Sequence, residues 1–488
     1  MSNDTIENQL PTEDLMGNRV RDYRLGGEAD RRAVNAGLAD ATWYRSPIDR
    51  DLLATLSKRS DGPAALNTAL YVVLLVGTGL WAYSTLWSWW TVPALLVYGT
   101  LYGSSADPRW HECGHGTAFR TRWLNDAVYY PASFMVLRDP TVWRWSHVRH
   151  HSDTIIVGRD PEVVLKRPPS LRVWLLALFA LPSGVQSIAR TFRHCVGRVS
   201  DADRSYIPPR DIGRVVIEAR VFVTIWTVLI GGCVLSMSLV PLLFFVGPSF
   251  YGAWLVHLFG TSQHLGLREN VLDHRLNSRT IYMNPIFRFL YWNMNYHCEH
   301  HMFPSVPSHA LPKLHDEIKA DLPAPSRSLA HAYREIGRAL LKQRRDPSWE
   351  LDRPLPAGNG ERTEREVRSL NPVLADEGDW FDVCGADDLP IDGIAPVEIR
   401  GRSLALYRLD SGYRATDGIC THSRRVHLAE GTVIDGEIEC PKHNGRFDIL
   451  TGAPTRQPVC IALSTYETRE RYGRIQVHVA LLGVDPSV

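Results

Sequence analysis

Charge disappears from two long windows of this chain, and those windows set its predicted architecture. No charged residue lies between Asp61 and Asp107, a run that includes "LYVVLLVGTGLWAYSTLW" and "VPALLVYGTLYG". None lies from Val221 to Leu267, which includes "VFVTIWTVLIGGCVLSM" and "LVPLLFFVGPSFYGAWLVHLFG". A helix needs roughly 20 apolar residues to cross a bilayer, so each window predicts two spans joined by a tight turn. Trp87, Trp89 and Trp90 crowd the first turn, as interfacial aromatics do. The stretch "VWLLALFALPSGVQ" at 173–186 is short and interrupted by Pro182 and Gly184, so it is expected to lie in the interface or re-enter. A fifth span there would also put histidines before it and after it on opposite membrane faces. From about residue 375 the pattern changes to short β-branched runs broken by Gly and Asp, such as "SLALYRL", "GTVIDGEIEC" and "RIQVHVA". Between lies "KQRRDPSWELDRPLPAGNGERTEREVRSLNP", rich in Pro, Gly and charge with no apolar period, which reads as a linker.

The expected organisation is therefore a cytoplasmic N-terminal segment (1–60), a membrane domain (61–335), a linker (336–373) and a small all-β domain (374–488). The membrane domain is predicted α-helical, with four transmembrane helices as two hairpins plus cytoplasmic helices. Mean hydropathy of −0.17 looks soluble only because the average hides these extremes. The segment 107–220 carries 17 Lys+Arg and the hairpin turns none, so the positive-inside rule places that segment in the cytoplasm. An integral inner (cytoplasmic) membrane protein follows. Residues 1–60 contain no apolar core of a signal peptide.

Formal net charge is +1, which argues against a globally charged binding surface, and no nucleic-acid partner is expected. The total conceals an asymmetry, because residues 373–488 hold 12 Lys+Arg against 18 Asp+Glu. An acidic C-terminal part could dock on a basic surface of the remainder. Eight cysteines without dense spacing fit metal ligation or free thiols better than a disulfide scaffold.

Three histidine boxes surround the hairpins. "HECGH" holds His111 and His115, "RWSHVRHHSDT" holds His147, His150 and His151, and "NYHCEHH" holds His297, His300 and His301. Positions i, i+3 and i+4 share a helix face, so each box converges on one point. Eight imidazoles on one membrane side are costly to bury without a metal, since each nitrogen wants a partner. Imidazole suits zinc, copper and iron alike, so ligand type alone does not name the metal.

The box spacings, and the continuation "NYHCEHHMFPSVPSHALPKLH", resemble the membrane fatty-acid desaturase/hydroxylase superfamily over about residues 60–330. The resemblance implies two non-haem iron ions held by the eight histidines on the cytoplasmic side, with substrate arriving from the membrane. It also implies a ninth ligand near the end of the fourth span, for which "GTSQH" offers His264, with His257 two turns earlier as the competitor. Ligand imidazoles need acceptors to orient them, and Glu112, Glu299, Asp160 in "GRDPE", Asp273, Asn293 and Asn295 are the candidates. His274, His309 and His315 are expected at the interface or behind the ligands, and His194 carries no expectation. Cys113 and Cys298 are expected as small packing residues.

A second pattern, "CTHSRRVHLAEGTVIDGEIECPKHNGRFD", reads C-x-H and then C-x-x-H, giving Cys420, His422, Cys440 and His443. It resembles a Rieske [2Fe–2S] domain of the ferredoxin type found with bacterial oxygenases, over about residues 374–482. The likeness implies two cysteines on one iron and two histidines on the other. Cys384 and Cys460 lie outside both loops and are expected as core thiols, and His427 as structural.

Together these parts predict an O2-dependent oxidoreductase. Electrons are expected from NAD(P)H through a separate flavoprotein ferredoxin reductase, because no nucleotide fingerprint accompanies a strand–helix unit here, and then through the Rieske cluster to the di-iron centre. Within the superfamily, "VLDHRLNSRTIY" and "NMNYHCEHHMFP" resemble the oxygenase of rhizopine-catabolism proteins, and "ECPKHNGRFD" its ferredoxin. That likeness implies hydroxylation of an unactivated C–H bond, including oxidative demethylation, of a small molecule. The competing expectation is an acyl-lipid or acyl-carrier desaturase. A membrane zinc hydrolase is a third class, which has no use for a Rieske cluster.

Overall fold

The structure, a computed structural model, describes residues 21–356 and 370–480 apart from 40, 164, 165, 168, 371, 376 and 377. The centre of the expected linker and both chain ends lie outside the described residues.

The first charge-free window folds into a 24-residue helix, Asp61–Ser84, whose Leu66, Val73 and Leu80 face outward. Only 11% of its most apolar stretch is buried, so a bilayer is the medium that can cover it. Trp87 and Trp89 stand 91% and 95% exposed at the turn that follows. The returning chain is not one straight α-helix. Thr91–Gly99 passes into a π-helical turn, Thr100–Ser104, and then into the box-one helix Ala106–His115. The second window gives Ile212–Ser236 and a broken run of helices from Val240 to His264. Among the described residues, three helical stretches are thus long and apolar enough to cross a membrane, or four if the pair Leu171–Ala177 and Leu181–Cys195 counts as one span. That pair is bent by 67° across residues 178–180, just before the Pro182 and Gly184 read from the sequence, which lie in the first turns of the second helix.

The box helices are fixed by buried polar ties. Arg109, with no exposed surface, donates to the Ser105 carbonyl and hydroxyl (2.8 Å each) and to Asn67, joining the box-one helix to the first span. Glu218 in the third span accepts from the Thr141 amide and hydroxyl (2.8 Å each), satisfying a free N–H at the start of the box-two helix Pro140–Ser152. Gly114 sets the approach of these two helices, because a Cβ there would lie 2.2 Å from the Trp143 ring.

Among the described residues, the C-terminal part forms three four-stranded antiparallel sheets. In the smallest-stranded sheet, Thr432–Ile434, Glu437–Glu439, Arg446–Asp448 and Pro454–Arg456 lie side by side. Cys420 and Cys440 sit in a core with Leu428, Ile438, Phe447 and Val459. Cys384 belongs to the other core, with Val383, Leu404 and Ile475. Cys460 departs from expectation. It is half-buried and packs against Val142, Trp145 and Ile207 of the helical part, so it is an interface thiol.

The helix Leu329–Arg345 runs into the segment expected as linker, its Ala332, Ile336 and Ala339 buried at helical spacing. Beyond it, the β-part seats on the helical part through basic-to-acidic contacts. Arg59 reaches Asp435 (3.1 Å) and Glu437 (2.8 Å), Arg122 also pairs with Glu437, and Arg45 donates to Asn444 (3.0 Å).

Candidate metal centres

The three boxes come together as two adjoining groups. His111, His115, His147, His151 and His300 form one, and His150, His264, His297 and His301 the other, with donor atoms inside each group within 4.8 Å of one another. Helical spacing divides box two, since His147 and His151, one turn apart, serve the first group while His150 turns to the second. Nε2 atoms face one another across each group: His147 to His115 at 3.0 Å, His151 to His147 at 3.1 Å, His297 to His264 at 2.9 Å and His301 to His297 at 3.0 Å. His264 ends the fourth expected span and joins the second group. His257 does not, and packs against Trp174 instead.

The outer nitrogens are partly anchored. The carboxylates of Glu162 and Asp160 accept from Nδ1 of His147 (2.9 Å) and His150 (2.8 Å). The Asn277 carbonyl accepts from Nδ1 of His264 at 2.7 Å, and the Thr154 hydroxyl meets Nδ1 of His301 at 3.2 Å. Each contact fixes a ring so that Nε2 points inward. Of the acceptors expected from sequence, only Asp160 holds one of these rings. Glu112 accepts from Thr117 and Ser308, Glu299 from Thr280 and His315, and Asp273 from Arg275, while Asn293 and Asn295 donate to the carbonyls of Ser308 and Ile281. Glu162 escaped sequence reasoning, although it stands two residues beyond Asp160 in the same "GRDPE" turn. His274 stacks on Trp43 (4.3 Å) beside His301, His194 bridges Asp139 and Asp203, and His427 accepts from the Ala429 amide.

Burial pushes the protonation of His115, His147, His151, His297, His300 and His301 well below the ordinary imidazole range, and neighbouring imidazoles add to it. His111 falls to about 3 for the same first cause. His150 is the exception: burial acts downward on it too, but the Asp160 carboxylate outweighs burial and raises it. Neutral rings keep the lone pair that a metal needs. His300 supplies the strongest test of fit. It has no exposed surface, and neither ring nitrogen has a hydrogen-bond partner. An unpaired buried nitrogen costs about 1–3 kcal/mol, so two on one ring, facing four other imidazoles, fit a metal-holding site.

In the β-domain the Cys420 and Cys440 thiols are buried and hydrogen-bonded to each other, which draws Cys420 below the ordinary thiol range. His422 and His443 face each other with Nδ1 atoms 3.1 Å apart. Asn444 adopts φ 56°, turning the chain sharply after His443. His422 is exposed and His443 half-buried, so the pair lies at the domain's edge while the thiols lie inside it. Two soft and two imidazole donors on two neighbouring loops suit an iron–sulfur cluster with mixed ligands.

The fatty acid desaturase family model matches residues 87–333, half of the chain. The chain belongs to the fatty acid desaturase family. A Rieske [2Fe–2S] domain model matches residues 379–467, so this desaturase-family protein carries a fused Rieske domain. Curated relatives match that domain. The ferredoxin component of the naphthalene 1,2-dioxygenase/salicylate 5-hydroxylase systems of Ralstonia sp is 34% identical over 98 residues, covering 20% of this chain and 93% of that protein. The ferredoxin component of the naphthalene 1,2-dioxygenase system of Pseudomonas aeruginosa is 33% identical over 101 residues, 21% of this chain and 96% of its own. Ferredoxin CarAc of Metapseudomonas resinovorans is 36% identical over 99 residues, 20% and 92% respectively. The desaturase-family protein is therefore an oxidoreductase with an electron-carrying domain built in.

Proposed function

We propose that this chain is a membrane-bound non-haem di-iron oxygenase that hydroxylates an unactivated C–H bond, oxidative demethylation included. The observation that carries the reading is the pairing of two inward-facing imidazole groups, His300 without any other partner, with a Rieske domain on the same chain. His111, His115, His147, His151 and His300 would hold one iron, and His150, His264, His297 and His301 the other. Bound there, the two irons supply the reducing power that activates O2 toward a C–H bond. The protein's own work is positional. Glu162, Asp160, Asn277 and Thr154 aim the rings, and burial keeps bulk water from the reacting centre. Cys420, Cys440, His422 and His443 would hold the cluster, re-reduced by a separate NAD(P)H-dependent flavoprotein. The relatives' roles as ferredoxin components of oxygenase systems support that partner. The positive-inside pattern supports a cytoplasmic location for both centres.

The family match favours a second reading, acyl-lipid or acyl-carrier desaturation with the same centres. Product analysis separates the two. Purified iron-loaded enzyme, supplied with O2 and a reductase, should give an alcohol or a demethylated product from a small molecule or lipid; an alkene would establish desaturation instead. His300→Ala should abolish turnover and leave the Rieske spectrum unchanged. Full activity in that variant would remove the di-iron assignment.

A further inference from the structure

A cationic side chain of the Rieske domain reaches the histidine centre. Arg456 ends the strand Pro454–Arg456, and its side chain is 12% exposed. Nη2 lies 3.1 Å from Nδ1 of His115 and donates to the Pro304 carbonyl at 3.2 Å, and Nη1 donates to the Ser305 hydroxyl at 3.2 Å. Glu439 lies 3.7 Å from Nη1, accepts from Ser305, and accepts from Arg446 at 2.7 Å. Glu439 is also the residue before Cys440. A run of contacts therefore leads from Cys440 through Glu439 and Arg456 to His115. A second run leaves the same cluster loop, where Asn444, next to His443, accepts from Arg45, whose guanidinium lies 6.0 Å from the Phe303 ring, two residues beyond His301.

We propose that Arg456 is a positioning residue for internal electron delivery, seating the Rieske domain on the five-histidine group and setting a positive charge against His115. The proposal rests on the di-iron reading above and adds to it the seat and the charge. Tertiary geometry argues for it. The surrounding contacts, Arg59 and Arg122 with Asp435 and Glu437, hold the seat through directional ion pairs, the Arg59–Glu437 pair shielded from solvent and Arg122 exposed. A seat of that kind suits a carrier that must also meet its reductase. A fixed cation beside a ligand ring stabilises an electron added to the metal that ring holds. In each delivery the reduced cluster loses one electron and a ferric iron held by the histidines gains it; no atom moves, and the external reductase restores the cluster.

The test is flash photoreduction of the cluster in the anaerobic, iron-loaded full chain, following the recovery of the cluster's visible bands. Recovery should be slowed about tenfold in Arg456→Met, the loss of one charge-assisted contact, and largely restored in Arg456→Lys. An Arg456→Met protein that recovers as fast as wild type overturns the proposal. His300→Ala should show no fast recovery. If wild type lacks fast recovery too, the di-iron reading fails, which is a separate outcome. Should Arg456→Met fail to hold its cluster, Arg456→Gln decides: slowed recovery with an intact cluster supports the proposal, and wild-type recovery overturns it.

Discussion

Two carboxylates in one turn divide the histidine centre between them. Glu162 holds His147 of the five-histidine group, and Asp160 holds His150 of the four-histidine group. Removing such a partner typically costs ten- to a hundredfold in metal affinity, because the ring loses its orientation and some basicity. Glu162→Gln should therefore lower iron affinity of the histidine centre by about 10–100-fold, measured by competition with a chelator, with the Rieske spectrum as an internal control. Glu112→Gln makes the contrast. That carboxylate serves Thr117 and Ser308, so iron affinity should stay within about threefold of wild type, inside the usual range for a change that leaves the ligands' partners alone. Equal losses in both variants would show that Glu162 matters only for folding. The eight box imidazoles were legible in the sequence because each box is local, with its period written within a few residues, whereas His264 was expected only through the family resemblance. Glu162, Thr154 and Arg456 were not, because their contacts exist only once a loop folds back or a second domain arrives, and no sequence period encodes that.

Helix approach decides whether the boxes meet at all. The helices Ala106–His115 and Pro140–Ser152 pack at Gly114, with Trp143 lying over Trp110 at a ring separation of 3.6 Å and stacked on His147 at 4.3 Å. A methyl group at Gly114 meets the indole 2.2 Å away, and the indole cannot retreat because His147 lies behind it. Overpacking of this kind costs roughly 1–3 kcal/mol. Gly114→Ala should lower the Tm and reduce iron in the five-histidine group, seen as substoichiometric iron per chain, and adding Trp143→Phe should recover part of both. Full iron and an unchanged Tm in Gly114→Ala would show that the helices tolerate a wider gap. At this scale the sequence disclosed the apolar windows and the all-β run clearly. It did not disclose the π-helical turn at Thr100–Ser104, since hydropathy is blind to a single extra residue in a helical turn, nor the helix continuing to Arg345, whose apolar stripe is diluted by basic residues.

Fusion changes what the interface must do. Separate ferredoxin components meet their oxygenases by diffusion, whereas here the carrier is tied to the domain it would serve. A short tether holds a partner at millimolar effective concentration, so the docked contacts can be individually weak and still be occupied. The interface is built in that way, from Arg59, Arg122, Arg45 and Arg456 against acidic, amide and hydroxyl partners. Weak contacts and a tether together let the carrier leave for a reductase and return. Cutting the chain within 357–369, through a protease site introduced there, should therefore uncouple the two halves without unfolding either. At micromolar enzyme, turnover should fall about a hundredfold or more on cleavage and recover as isolated Rieske domain is added back toward millimolar concentration. Turnover that survives cleavage and dilution would mean that the seat alone, without the tether, holds the carrier in place.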